Sequence, residues 1–315
     1  MNSSSPSSAV PDSGPLRTAL LGNALFSSTS GAVMFFAPER VSAWLGISSA
    51  TWPVAAIGLG LLVFAADLVH QATRRRVATW RALYAIAGDG LWVLASVAGL
   101  LLLGHHLSPL GLGLVAGVAL IVSGFALGQA RGVLLAHRVT DDKRVRMRHC
   151  LVVGADAPAE QLWAHVADLG GISRFMPFLQ NSALRGGASA GVDAVRVCTD
   201  TGGHTWAERC VEFDSGARRI TLDFLCDEAG FPFPVRAMQG GWIVSDAGDG
   251  RSEVTVWWEL IPRSRWMGVM LLPMLAWQMD RMIPAAVGRM TEGASGAADL
   301  PRKSKRLARL LPSAC

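Results

Sequence analysis

Four apolar runs in the N-terminal half constrain this chain more than anything else in it. They occupy residues 16–37, 54–72, 82–103 and 107–135. Each meets the roughly 20-residue length that an α-helix needs to cross the hydrocarbon core of a bilayer. Backbone groups have no water to bond with in that core, so such segments must be helical, and four crossings are expected. The composition agrees: 51% of the 315 residues are hydrophobic and the mean hydropathy is +0.34, too apolar for an ordinary soluble enzyme.

Orientation follows from the positions of the basic residues. Arg17 precedes the first run, Arg74, Arg75, Arg76 and Arg81 separate the second from the third, and Arg138, Lys143, Arg144, Arg146 and Arg148 follow the fourth. The two remaining loops hold Arg40 beside Glu39 and the pair His105 and His106. Basic loops stay on the cytoplasmic side, which predicts a multi-pass protein of the bacterial inner membrane with both termini in the cytoplasm. The net charge of +5 is accounted for by these loops and a basic C-terminal stretch; without basic residues interleaved with aromatics, nucleic-acid binding is not expected. Gly113, Gly117, Gly124 and Gly128 form two GxxxG spacings in the fourth run and predict close packing against a neighbouring helix.

From about residue 145 the rhythm changes. A strand over 145–153 is followed by a helix opening at Ala157 and Pro158, with Leu162, Trp163, Val166 and Leu169 as its apolar stripe, and then by a short helical segment, ISRFMPFL. Alternating strands over 192–199, 206–213, 219–226, 235–244 and 253–260 are separated by the turns TGGH, DSG and DAGDG. A long helix over 265–290 closes the pattern. The expected organisation is a disordered Ser/Pro-rich leader (1–15), a four-helix transmembrane domain (16–136), a basic linker (137–148), an α+β domain (145–292) with an antiparallel sheet, and a basic tail (293–315). The five cysteines show neither CxxC pairs nor histidines at ligand spacing, so neither metal nor redox motif is expected, and on the cytoplasmic side all five should be reduced thiols.

The segments PAEQLWAHVADLGGISRFMPFL, AERCVEF, FPFPVRAMQGGWIV and EVTVWWELIP resemble the polyketide cyclase/dehydrase branch of the START-like superfamily, also called SRPBCC, over about residues 145–292. The N-terminal half is similar to four-helix bacterial integral membrane proteins of no assigned chemistry. The START-like resemblance implies a helix-grip fold, with a long C-terminal helix lying across a curved sheet and an apolar cavity between them that holds lipids, polyketides or other hydrophobic molecules. No cofactor is expected.

Alternation and helical spacing nominate the lining. Ile220, Leu222, Phe224 and Cys226 share one strand face, Val254, Val256, Trp258 and Leu260 another, and Met238 and Trp242 a third. Phe175, Met176 and Phe178 lie in the short helical segment, and Met267, Met270, Leu271 and Met274 repeat along the long helix. Phe175, Phe178, Phe224, Met238, Trp242, Trp258, Met270 and Met274 are therefore the expected ligand contacts. Glu208 is the best catalytic candidate if it faces inward; if Val211 and Phe213 face inward instead, it faces water. Ser–His–Asp, Cys–His and phosphate-cradling motifs are missing. A membrane-anchored binding or carrier protein for a hydrophobic molecule or lipid, working at the anionic inner leaflet, is expected over a cyclase/aromatase-type enzyme. Within the apolar runs, Asp67 and Asp89 fall at similar depth with Asn23, one turn before Ser27, and with Gln129 at the end of the fourth, and His70 follows Asp67 by three residues; this predicts a polar cluster in which the two carboxyls share a proton or pair with His70 or Arg131.

Overall fold

The computed structural model describes residues 12–141, 144–293 and 307–311. Most of the expected leader and tail lies outside the described residues. The chain divides into two compact units that meet in sequence between Ala136 and His137.

The first unit is helical throughout: α1 (Gly14–Phe36), the short amphipathic α2 (Pro38–Leu45), α3 (Thr51–Thr73), α4 (Thr79–Leu103) and α5 (Pro109–His137). Helices α1, α3 and α5, and α4 extended by the turn that ends at His106, are long and apolar enough to cross a membrane. Leu16, Leu20, Leu68, Ala72, Ala82, Ala85 and Val133 build a core near one end of the bundle. Leu91, Leu94, Leu101 and Leu102 on α4 and Leu120 and Leu127 on α5 are exposed. Apolar faces of that extent suit a lipid environment better than water. The close helix approach is not where the GxxxG spacing put it. A Cβ on Gly113, Gly117 or Gly124 would meet nothing within 4 Å, whereas one on Gly58 would lie 2.6 Å from the Phe35 nitrogen and 2.8 Å from the Gly31 carbonyl oxygen. Gly31 on α1 with Gly58 on α3, and Gly132 on α5, where a Cβ would lie 2.6 Å from the Leu16 Cα of α1, are thus small residues that let backbones meet.

The second unit is a helix-grip fold. Among the described residues its strands form one nine-stranded sheet in the order β1-β2-β8-β7-β6-β5-β4-β3, with β9 also on β2. The strands are β1 (Arg138–Asp141), β2 (Arg144–Ala155), β3 (Leu179–Leu184), β4 (Val195–Asp200), β5 (Thr205–Asp214), β6 (Arg219–Phe224), β7 (Val235–Gly248), β8 (Arg251–Pro262) and β9 (Ala308–Leu310). All pairings are antiparallel. Helix α6 (Ala159–Ala167) and a 3₁₀ segment (Leu169–Arg174) precede β3, and α7 (Arg265–Glu292), capped at its start by the Ser264 hydroxyl, closes the fold. Leu151, Val153, Leu162, Val166, Leu222, Val254, Val256, Ile283 and Val287 are buried in the space between sheet and helices.

Four expectations need correction. The basic linker is not a linker, since Arg138–Asp141 pairs with Arg144–Met147 as a hairpin. Within the basic tail, Ala308–Leu310 pairs with Val153–Ala155 and buries Ala308, because that half of the β2 edge otherwise offers unpaired backbone groups. The segment ISRFMPFL is helical only as far as Arg174. Cys150 is disulfide-bonded and not a free thiol; a bridge formed through tertiary contact leaves no local spacing signal. Cys198, Cys210 and Cys226 are free.

Candidate functional site

The gap between the sheet and α7 is a cavity of about 80 Å³. Alternation supplies its sheet side: Trp206 and Glu208 from β5, Leu222 and Phe224 from β6, Met238 from β7 and Trp258 from β8. Leu275, Met279 and Ile283, spaced by four residues along α7, supply the helix side. The floor is open because β7 carries Gly240 on its inward face, while Gly241 beside it leaves room for the Trp257 ring on the opposite face. A Cβ on Gly241 would stand 2.7 Å from the Trp257 ring and one on Gly240 3.1 Å from the Trp258 ring, so neither position accepts a side chain without moving an indole.

One polar assembly interrupts this apolar wall. Glu208 is buried and faces the cavity. Its carboxylate accepts from the Arg196 guanidinium, through Nε at 3.1 Å and more closely through Nη2, and from Trp206 Nε1 at 2.6 Å. Arg196 also donates to the Leu169 carbonyl at 3.4 Å. Arg196 and Glu208 are 6% and 3% exposed, so the pair is desolvated together. Burial acts to lower the Arg196 pKa, but the Glu208 carboxylate outweighs it and the guanidinium is held more firmly charged than usual. Beside the pair, burial foremost and then the Glu208 charge push the Cys198 thiol up to about 12, which keeps it protonated and inert.

Why Glu208 and the more distal Phe213 both reach the interior is explained by an irregularity in β5. The register against β6 shifts between Cys210 and Glu212, so the strand changes parity: Trp206, Glu208 and Cys210 face in before the bulge, and Phe213 packs on the core after it, tilted against Trp163. Val211 is exposed.

Residues 151–294 match the family model described as polyketide cyclase/dehydrase and lipid transport. Residues 151–294 form a domain of that family. Similar solved structures include a protein from Thermobifida fusca (25% identity, 47% of this chain and 93% of that one, TM-score 0.39). Norcoclaurine synthase from Thalictrum flavum, in complex with dopamine and hydroxybenzaldehyde, is 16% identical over 48% of this chain and 90% of its own (TM-score 0.39). An aromatase/cyclase from Streptomyces sp. R1128 is 18% identical over 46% and 93% (TM-score 0.36). No curated protein matches the chain.

In the polyketide cyclase/dehydrase and lipid transport domain, Phe178, Phe224, Met238, Trp242 and Trp258 line the cavity, as does Met176. Phe175 does not; it is buried on the other side of its segment with its ring 4.6 Å from that of His165. Met270 and Met274 are also misplaced by the spacing argument. They lie on the outward face of α7 with Trp266 and Trp277, all exposed, while Leu272, Leu275 and Met279 turn inward. A helix apolar on nearly every side gives periodicity no contrast from which to read its rotation. Two residues that the sequence reading passed over matter more. Arg196 is one; the other is His149 on β2, whose Nε2 lies 3.1 Å from Asp280 Oδ1 on α7 and whose ring stacks near Trp258 (centroids 6.4 Å) in the wall of a smaller adjoining cavity. No group of three His, Cys, Asp or Glu side chains able to hold a metal occurs among the described residues.

The polar residues of the helical unit separate into two groups where the sequence suggested one. Asp67 pairs with Arg81, Nη2 to Oδ1 at 2.6 Å, and accepts from Gln71, while the exposed His70 takes a hydrogen bond from Arg74 Nε at 3.1 Å. Asp89 sits apart and buried: Asn23 Nδ2 donates to its two oxygens at 3.1 and 2.9 Å, and Gln129 Nε2 to Oδ2 at 3.0 Å. Arg131 is exposed and is not its partner.

Proposed function

We propose that this chain is a membrane-anchored binding or carrier protein, which holds a hydrophobic small molecule or lipid in the cavity of its C-terminal domain. The observation that carries this reading is the cavity itself: aromatic and aliphatic side chains from four strands and one helix around a single buried Arg196–Glu208 pair. Binding sites for small molecules have this construction, a mostly apolar wall with few fixed polar groups that set orientation. With its charges already satisfied by each other and by Trp206, the pair suits a ligand hydroxyl, carbonyl or headgroup better than proton transfer. At about 80 Å³ the cavity is well below the several hundred Å³ usual for such ligands, so a lipid-sized occupant enters by displacing the α7 side of the wall.

The four long apolar helices support anchoring in the membrane, and the basic loops support a cytoplasmic location for both termini and for the cavity domain. The outward row Trp266, Met270, Met274 and Trp277 on α7 is suited to the interfacial zone of an anionic leaflet. A second reading, a cyclase-type enzyme, is favoured by one observation only: the His149–Asp280 pair beside the adjoining cavity is an orienter–base arrangement that could move a proton.

Native mass spectrometry of the full-length protein, released from detergent, tests the carrier reading. An apolar molecule should accompany the wild type and be lost from Met279→Trp, which fills the cavity from the helix side. Equal loading of both proteins would remove the cavity as the binding site. Turnover of the bound molecule that disappears in His149→Ala, with loading intact, would move the assignment to the enzyme.

A further inference from the structure

Asp89 is 3% exposed at about 15 Å into α4, counted at 1.5 Å per residue, and Asn23 and Gln129 stand at comparable depth in α1 and α5 at 1% and 0% exposure. Ser27 Oγ donates to Asn23 Oδ1 at 3.1 Å and extends the group. The side chains facing Asp89 are therefore Asn23 from α1 and Gln129 from α5, both uncharged; the nearest acidic residue of α3, Asp67, is engaged by Arg81. No cationic side chain among the described residues pairs with Asp89. Asp67 shows what a carboxylate in this bundle ordinarily has, and Asp89 lacks it. A buried carboxylate with only amide donors carries a charge that low-dielectric surroundings do not neutralise, and such charges are paired or taken up by a bound cation.

A second observation points the same way. Gln129 Oε1, on the amide that already touches Asp89, is buried and has no hydrogen-bond partner. An orphaned acceptor of this kind is unfavourable until a donor or a cation meets it. Half a turn of the amide brings that oxygen to the carboxyl, where it accepts from a protonated Asp89 O–H or joins the carboxylate oxygens around a small metal cation. Asn23 Nδ2 can meanwhile keep its bond to the other carboxyl oxygen. The same three side chains thus serve the site with and without its positive charge.

We propose that Asp89, Gln129 and Asn23, supported by Ser27, form a binding site for a monovalent cation, a proton or a sodium ion, in the interior of the N-terminal bundle. The site takes added meaning from the membrane reading, since a cation site enclosed by spanning helices lies on a path between two compartments; its chemistry depends only on burial within the bundle.

The full-length protein in detergent is the material for the test, read by infrared difference spectroscopy across pH and, separately, on replacing potassium by sodium at fixed pH. In the proton case a carboxylic acid C=O band titrates in the wild type, is absent from Asp89→Asn and persists in Asp67→Asn. In the sodium case the Asp89 carboxylate bands and the Tm respond to sodium but not potassium, and Gln129→Asn, which keeps an amide but withdraws it, weakens the response about tenfold or more. Circular dichroism and size exclusion show whether each variant is folded; if Asp89→Asn is not, Gln129→Asn supplies the comparison. A wild type with neither an acid band nor a sodium response overturns the proposal, as does a response unchanged by both variants. Resistance of the protein to extraction by alkaline carbonate tests the membrane reading by itself: a protein that is extracted yet shows the Asp89-dependent response would keep this inference and lose that one.

Discussion

Glu208 and Arg196 give the sharpest quantitative test, because the two are buried together with little else to satisfy either one. Replacing Glu208 by Ala leaves a guanidinium at 6% exposure with the distant Leu169 carbonyl, 3.4 Å away, and the uncharged Cys198 thiol beside it, and it also frees the Trp206 indole N–H. Removing one member of a buried ion pair costs about 3–5 kcal/mol. At 1.4 kcal/mol per factor of ten, the most protected amides of β4 and β5 should exchange hydrogen about 10²- to 4 × 10³-fold faster in Glu208→Ala than in wild type. The double variant Arg196→Met/Glu208→Leu replaces the pair with apolar groups of similar length and should recover most of that loss, while weakening retention of any ligand whose polar end the pair holds. Hydrogen exchange read by mass spectrometry resolves the C-terminal domain within the intact chain. Removal of Glu228, whose ion pair with Arg185 is solvent-exposed, is the control and should change exchange little. If Glu208→Ala behaves like Glu228→Ala, the pair is not desolvated and the reasoning fails.

Cys198 should resist alkylation by iodoacetamide at pH 8 in the folded protein while the half-buried Cys226 reacts first. Because the folded Cys198 pKa lies near 12, above the unfolded 9.0, its contribution to stability is complete below pH 9 and declines as pH rises toward 12; Cys198→Ala should flatten that alkaline loss in a denaturation series. For topology, a reporter inserted at Ser108 should read periplasmic and one at Thr79 cytoplasmic, and the reverse pair of readings would sink the orientation derived from Arg74, Arg75 and Arg76.

The strands of the sheet were legible wherever one face was apolar and the other polar. Val254, Val256 and Leu260 alternate with Glu253 and Glu259, and the structure buries the first set while Glu259 meets Arg146 and Arg148 outside. Strands β1 and β3 escaped because RVTD and LQNSAL lack that contrast. The Arg196–Glu208 pair escaped for a different reason: an arginine in VRVCTD reads as solvent-facing on residue type alone. The turn TGGH nevertheless contained the answer, since pairing outward from it sets Cys198 opposite Trp206 and then Arg196 opposite Glu208. Register arithmetic, applied to a charge that looks out of place, would have found the partner. No such arithmetic orients α7; depth along the helices did bring Asn23 and Asp89 together, but it could not separate Asp67 and His70 from them, because that depends on how the helices rotate against their neighbours.

Helix α7 contains Pro273 and Pro284, and the three residues it gives to the main cavity, Leu275, Met279 and Ile283, fall between them. Each proline deletes one i→i−4 hydrogen bond and loosens the helix there. The two ends are tied down separately, by the Ser264 cap at one and by Gln161 donating to the Thr291 carbonyl at the other. The stretch between the prolines is therefore a panel with a weakened backbone ladder at either edge, and across its middle the contact of Asp280 with His149 fastens it to β2. On the proposed binding reading, the aperture this stretch would govern, more than the volume enclosed when it is shut, sets the size of molecule admitted.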